Sequence, residues 1–268
     1  MAFQKISSKK YNLIKHEKYL RKNVFFTKDK WPHFDLLFSD IKTLSKKMPS
    51  NSKVLFIERT NLYGSISLLA PFFNRQYVAS IDCSEKSIKS RGSYNKSLID
   101  IDKIIPFYSI DQKNYLKIIE KKYKSDLIII PNLIHHIPYH IPFFKNLKKL
   151  LNPRGKIYVF EPLVRELHQA PDDYLRYTPF GLKKIFEDLG YKNIEYKLEG
   201  GPFSVISYCY DQSLQFLPKK IKEKETSYFL NNLLPKLNKF EKKYKKNLIR
   251  SHSSFPMSYS VLAKKNDL

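Results

Sequence analysis

The stretch Asp126-Leu127-Ile128-Ile129-Ile130-Pro131-Asn132-Leu133-Ile134-His135-His136-Ile137-Pro138 decides how this chain folds. Past Asp126 its apolar residues do not alternate with polar ones, the pattern of a short strand buried on both faces of a sheet. A helical segment follows, Phe144-Lys145-Asn146-Leu147-Lys148-Lys149-Leu150-Leu151, and then the turn Asn152-Pro153-Arg154-Gly155. A second apolar strand, 156–160, closes on Phe160-Glu161-Pro162. Strand, helix and strand in this order make a right-handed crossover between parallel neighbours.

The same alternation extends in both directions. Upstream, apolar runs at 53–57, 77–82 and 104–110 read as strands; downstream, so do 193–198 and 258–263. A helix over 178–189 has Thr178 at its N-cap, Pro179 at the first turn and Gly190 as its stop. The expected fold is α/β: a doubly wound, mostly parallel, seven-stranded Rossmann-like sheet with helices on both faces. Residues 1–50 read as a basic helical extension. They hold amphipathic stretches around 11–20 and 34–44 and end at Pro49-Ser50-Asn51-Ser52. The main domain then covers 51–268, with a helical insertion at about 201–255 before the last strand.

Composition narrows the class. The chain has 268 residues, enough to bury a core without disulfides or a structural metal. Its two cysteines, Cys83 and Cys209, make neither a disulfide framework nor a metal site, which fits a reducing, cytoplasmic setting. No apolar run reaches the roughly 18–20 residues that span a bilayer, and the amino terminus has no apolar core of a secretory signal. The net charge of +24 invites a nucleic-acid reading. Yet only eight of the 49 basic residues are arginine, and the lysines are spread over the whole chain rather than gathered in a stripe. Nucleic-acid surfaces favour localised clusters with arginine forks, so a nucleic-acid partner is not expected. Peripheral membrane contact remains open, because 203–217 sets several apolar residues beside Lys219-Lys220.

The block over 126–162 resembles class I S-adenosylmethionine-dependent methyltransferases, in which a strand runs into a Leu-x-His-Ile element, then a helix, a Leu-x-Pro-x-Gly turn and a strand closing on proline. The next stretch, His168-Gln169-Ala170-Pro171-Asp172-Asp173-Tyr174-Leu175-Arg176-Tyr177-Thr178-Pro179-Phe180-Gly181-Leu182, is similar to methyltransferases encoded among surface-polysaccharide and other glycan biosynthesis genes. The resemblance implies S-adenosylmethionine as cofactor and a small-molecule or glycan acceptor, methylated on oxygen. It places Ile57, Glu58, Gly64, Asp82, Cys83, Asp111 and Asn132 beside the cofactor. Asp82 would accept from the ribose hydroxyls and Asp111 from the adenine amine; a helix-capping role is the competing reading of both. His136, His168 and Asp173 are the candidate bases. His135, Tyr174, Arg176 and Tyr177 are the candidate acceptor contacts, although Asp173 could instead pair with Arg176 within a self-contained lid. No metal site is implied.

The first loop departs from the family. An acidic residue and three glycines are expected there, but the chain reads Val54-Leu55-Phe56-Ile57-Glu58-Arg59-Thr60-Asn61-Leu62-Tyr63-Gly64. Phe56 stands at the acidic position and Glu58, Thr60 and Leu62 at the glycine positions. Two further readings follow: a non-catalytic relative acting as a binding or partner subunit, and an RNA methyltransferase suggested by charge.

Overall fold

A computed structural model describes residues 4–5, 14, 17–18, 35–58, 69–73, 77–82, 104–106, 120–167, 170–171, 173–248 and 254–266. Its strands are β1 (Gln4–Lys5), β2 (Lys53–Glu58), β3 (Tyr77–Asp82), β4 (Ile104–Pro106), β5 (Ser125–Pro131), β6 (Leu151–Pro162), β7 (Tyr191–Glu199) and β8 (Ser258–Lys265). Its helices are α1 (Asp35–Lys47), α2 (His140–Leu150), α3 (Pro179–Asp188), α4 (Pro202–Ser213), α5 (Lys219–Tyr228) and α6 (Leu234–Leu248).

All eight strands join one sheet in the order β1-β3-β2-β5-β6-β8-β7, with β4 also on β3. The pairs β3–β4, β2–β3, β2–β5 and β5–β6 are parallel, whereas β8 runs antiparallel to both β6 and β7. Where seven strands were expected, eight are present among the described residues. The two-residue β1 pairs antiparallel with Tyr77 and Val78, on the half of β3 that β4 leaves uncovered. Two residues carry too little periodicity to be seen in sequence. Five strands, β2, β5, β6, β8 and β7, form the run in which side-chain packing is described.

The absence of alternation has its cause in two cores. Leu55, Ile57, Ile128, Ile130, Ile157 and Val159 face α2 and α3, meeting Phe143, Phe144, Leu147, Leu182 and Phe186. Val54, Phe56, Leu127, Ile129, Tyr158 and Phe160 face the other way, onto Leu37, Phe38 and Ile41 of α1 and the short turn Ala70–Phe73. Full burial of each such side chain contributes about 1.5–3 kcal/mol. Helix α1, expected in an extension, thus covers one face of the sheet.

The turn Asn152-Pro153-Arg154-Gly155 bulges out of the β5–β6 ladder, since Leu151 pairs with Ser125 but the next partners are Lys156 and Leu127. Arg154 takes φ 61° there. A Cβ on Gly155 would lie 2.9 Å from the Asn152 carbonyl oxygen, so only glycine closes this bulge without moving backbone. At α3 the expected cap is present: Thr178 Oγ1 accepts from the Gly181 amide at 3.0 Å. Thr178→Ala should lower the unfolding free energy by about 1 kcal/mol, read as a shift in the urea midpoint at unchanged slope.

Candidate functional site

The strand order reverses between β2 and β5, and ligands of open parallel sheets sit beyond the carboxyl ends of the strands at such a switch point. At that edge Glu58 and Asp82 are register partners at the tips of β2 and β3. Ile57, expected beside the cofactor, is fully buried in the core. Phe56 is likewise core, edge-to-face with Phe73 at 5.7 Å. Gly64, Cys83, Asp111 and His168 lie outside the described residues.

Across the switch point β5 runs into Asn132, a buried residue at φ 56° whose amide donates to the Phe160 carbonyl at 2.7 Å. Asparagine tolerates the left-handed region better than most residues. The reversal aims the next two amides at one group. Leu133 N and Ile134 N donate to Glu161 Oε1 at 2.6 and 2.7 Å. Glu161 Oε2 lies 2.5 Å from His135 Nδ1, with both side chains buried. Three donors converging on one carboxyl group fix it as an acceptor, so His135 Nδ1 carries the hydrogen of this bond.

The rest of the short helix Ile134–His136 is organised around this pair. The His136 ring lies 4.0 Å from the His135 ring, and His136 is also buried. His140 Nε2 is 3.2 Å from the Ile134 carbonyl oxygen, and its ring meets Tyr177 edge-on at 5.1 Å. Burial pulls the His140 imidazole below its ordinary value, against the upward effect of the Ile134 carbonyl and the Glu161 charge. The folded state therefore holds His140 neutral, and this stabilisation is lost as pH falls below the ordinary histidine range. Tyr259, the register partner of Glu161, buries its hydroxyl; burial foremost, then Glu161 and Tyr177, raise its pKa far above the ordinary tyrosine value.

The segment 173–178 docks over this turn, with the Tyr174 amide donating to the His135 carbonyl at 2.8 Å. Asp173 and Arg176 form a two-pronged pair, Nη1–Oδ1 2.5 Å and Nη2–Oδ2 2.9 Å. Arg176 Nη2 also reaches the Glu166 carbonyl at 3.3 Å. Burial works to lower the Arg176 guanidinium, but the bonds and charge of Asp173, with Glu161 and Glu166, outweigh it and the net shift is upward. Both Asp173 oxygens are engaged by Arg176, the self-contained pair that the sequence also allowed for this candidate base. Tyr174 exposes its ring, while Tyr177 is half-buried against His140.

Sequence reasoning missed Glu161, His140 and Tyr259. Glu161 carried a signal, a charge ending an otherwise apolar strand; Tyr259 carried none. Among the described residues no group of His, Cys, Asp and Glu could hold a metal ion. No described helix is long and apolar enough to cross a membrane.

The sequence matches no protein-family model and no curated protein. Solved structures do match. A SAM-dependent methyltransferase from Archaeoglobus fulgidus superposes with a TM-score of 0.50 at 15% identity, over 93% of this chain and 99% of that one. The DszA carbon methyltransferase superposes with a TM-score of 0.51 at 11% identity, over 93% of this chain and 58% of that one. At such identities the likeness is one of fold: this chain has the open α/β fold of SAM-dependent methyltransferases.

Proposed function

We propose that the protein transfers a methyl group from S-adenosylmethionine to a hydroxyl of a small-molecule or glycan acceptor. The observation that carries this reading is the convergence of two groups on one sheet edge: the acidic tips of β2 and β3 on one side of the switch point, and the Glu161–His135 pair on the other. The residues present fit the cofactor. Asp82 would take the ribose hydroxyls, Glu58 would replace the carboxylate that Phe56 cannot supply, and the turn at Asn132 would line the floor. Bound there, S-adenosylmethionine supplies a methyl group already activated on a sulfonium sulfur.

The chain's own work is to hold the acceptor in line and to accept its proton. In this reading His135, oriented by Glu161 through Nδ1, takes the acceptor's proton at its other ring nitrogen, with the His136 ring tilted against it. Tyr174 offers an exposed ring to a sugar or other flat acceptor, while Asp173 and Arg176 hold the lid in place.

One observation favours a second reading, a partner subunit that kept the fold without the chemistry: Phe56 is packed into the core where a carboxylate is expected. Ligand-induced stabilisation separates the two. S-adenosylmethionine or S-adenosylhomocysteine at 100 times its dissociation constant should stabilise the wild-type fold by about 2.7 kcal/mol, and Asp82→Ala should lose that shift while melting alone as the wild type does. A wild-type chain with no shift at millimolar cofactor would establish the second reading.

A further inference from the structure

We propose that the outer face of the insertion, centred on α5, docks on an anionic lipid surface beside the candidate site. The apolar stretch over 203–217 does not itself form this face. Ser204, Ser207, Tyr208 and Leu214 are buried, and Phe203 packs on Phe240 at 5.4 Å. Ile206 is about half exposed within it, and the other exposed apolar residues lie at its end and beyond it: Phe216, 81% exposed, then Ile221 and Tyr228, each about half exposed.

Helix α5 has ten residues, none of them buried. It is held from its ends and from one side. Leu214 before it and Phe229 after it share a small core with Leu234, and Glu225 accepts from the Tyr210 hydroxyl at 2.9 Å. Its own apolar side chains, Ile221 and Tyr228, contribute nothing to that core. Apolar residues that project from a helix and join no core among the described residues are open to contact with something else.

Charge identifies the partner. Lys219, Lys220, Lys222 and Lys224 are all exposed on α5. Of the acids in the insertion helices, Asp211 on α4 is half-buried, Glu225 is turned onto Tyr210 and Glu241 onto the Ser204 amide, which leaves Glu223 as the exposed acid of α5. Lysines surrounding a projecting phenylalanine and isoleucine match a surface with anionic headgroups outside and acyl chains beneath. The face suits RNA less well. The stretch 202–248 contains no arginine, and Ile221 has neither a ring to stack on a base nor a group to hydrogen-bond its edge.

Topology places the face near the chemistry. The insertion leaves the sheet after Glu199 and returns at Ser258, register partners at the edge where β6 ends in Pro162. Its Tyr208 hydroxyl donates to Glu166, whose carbonyl holds Arg176 of the lid. A docked chain would thus face its lid toward the headgroup layer, where an amphiphilic acceptor is presented.

The test is sedimentation of the full chain with vesicles of phosphatidylcholine alone or mixed with phosphatidylglycerol. Binding should require phosphatidylglycerol, weaken with salt, and fall at least about tenfold in the Phe216→Ser/Ile221→Ser and Lys219→Glu/Lys220→Glu variants. These side chains lie outside the core, so circular-dichroism melting should match the wild type. Failure to bind mixed vesicles, equal binding to neutral ones, or wild-type binding by the serine variant would overturn the proposal. So would salt-dependent binding of poly(U) that the serine variant retains while vesicles are ignored. Vesicle binding needs no cofactor, so either reading can fail without the other.

Discussion

Glu161→Gln should fold, keep its cofactor-induced stabilisation and lose methyl transfer by roughly three to four orders of magnitude in kcat. The expectation follows from which atoms carry hydrogens. As a carboxylate, Glu161 accepts at Oε1 from Leu133 and Ile134 and at Oε2 from His135 Nδ1. Glutamine keeps an oxygen for the two amides, but its NH2 then faces the imidazole. A donor opposite Nδ1 drives the ring proton onto Nε2, and the lone pair assigned to the acceptor's proton is gone. Volume and backbone contacts are nearly unchanged, so the melting temperature should fall by only a few degrees.

Glu161→Ala is the contrasting variant. It leaves two amides and a buried imidazole without their shared acceptor, a loss of about 3–5 kcal/mol, or about 10 °C in melting temperature for a domain this size. Single-turnover rates measured with saturating cofactor decide the matter. A Glu161→Gln chain that turns over within tenfold of the wild type removes His135 as the base and returns the role to His136 or to His168.

Much of this arrangement was legible in the sequence. The strands at 53–57, 77–82 and 126–131 lie where their apolar runs place them, because a strand covered on both faces must be apolar throughout. Helix α3 begins and ends at its own signals, Thr178, Pro179 and Gly190. Residues 156–160 were legible only as the middle of β6. That strand extends to Leu151 through a bulge, and a bulge depends on the partner strand rather than on local composition.

The site was less legible for a related reason. His135 and Glu161 are far apart in the chain and meet only when β5 and β6 pair, in a register that no local pattern states. His135 and His136 look equivalent as neighbours in sequence. Only the positive φ of Asn132, which aims the following amides at Glu161, distinguishes the first as the one with an orienting partner. Arg176 and Asp173 could be read from sequence as acceptor contacts or as a pair. The three-residue spacing allowed both, and packing of the lid against Glu166 and the His135 carbonyl selects the pair.

Asp40→Ala should be the most destabilising change outside the site, lowering stability by about 3–5 kcal/mol and the melting temperature by about 10 °C. Asp40 lies on α1 with 4% of its surface exposed. Its Oδ2 accepts from Ser260 Oγ at 2.7 Å and from the Tyr158 hydroxyl at 3.1 Å, and Lys197 Nζ donates to Oδ1. Those partners lie on β8, β6 and β7, so one carboxylate ties α1 to three adjacent strands. Tyr158 and Ser260 are buried, and without Asp40 their hydroxyls lose the carboxylate they share, a desolvation loss that exceeds what the bonds themselves contributed. Lys197 is half-exposed and can turn to water, so its share is small.

The same network contributes to how the fold responds to alkali. Burial first, and then the Asp40 charge, hold the Tyr158 hydroxyl well above its ordinary pKa of 10.0. The unfolded chain loses that proton near pH 10 while the folded chain keeps it, so stability is fully present below this range and falls as pH rises through it. Asp40→Asn distinguishes charge from connectivity. It keeps an acceptor for Ser260 and Tyr158 but removes the charge opposing Tyr158 ionisation, so its loss of stability with rising pH should be shallower than in the wild type. An Asp40→Ala chain that melts within two or three degrees of the wild type would show instead that α1 is held by Leu37, Phe38 and Ile41 alone.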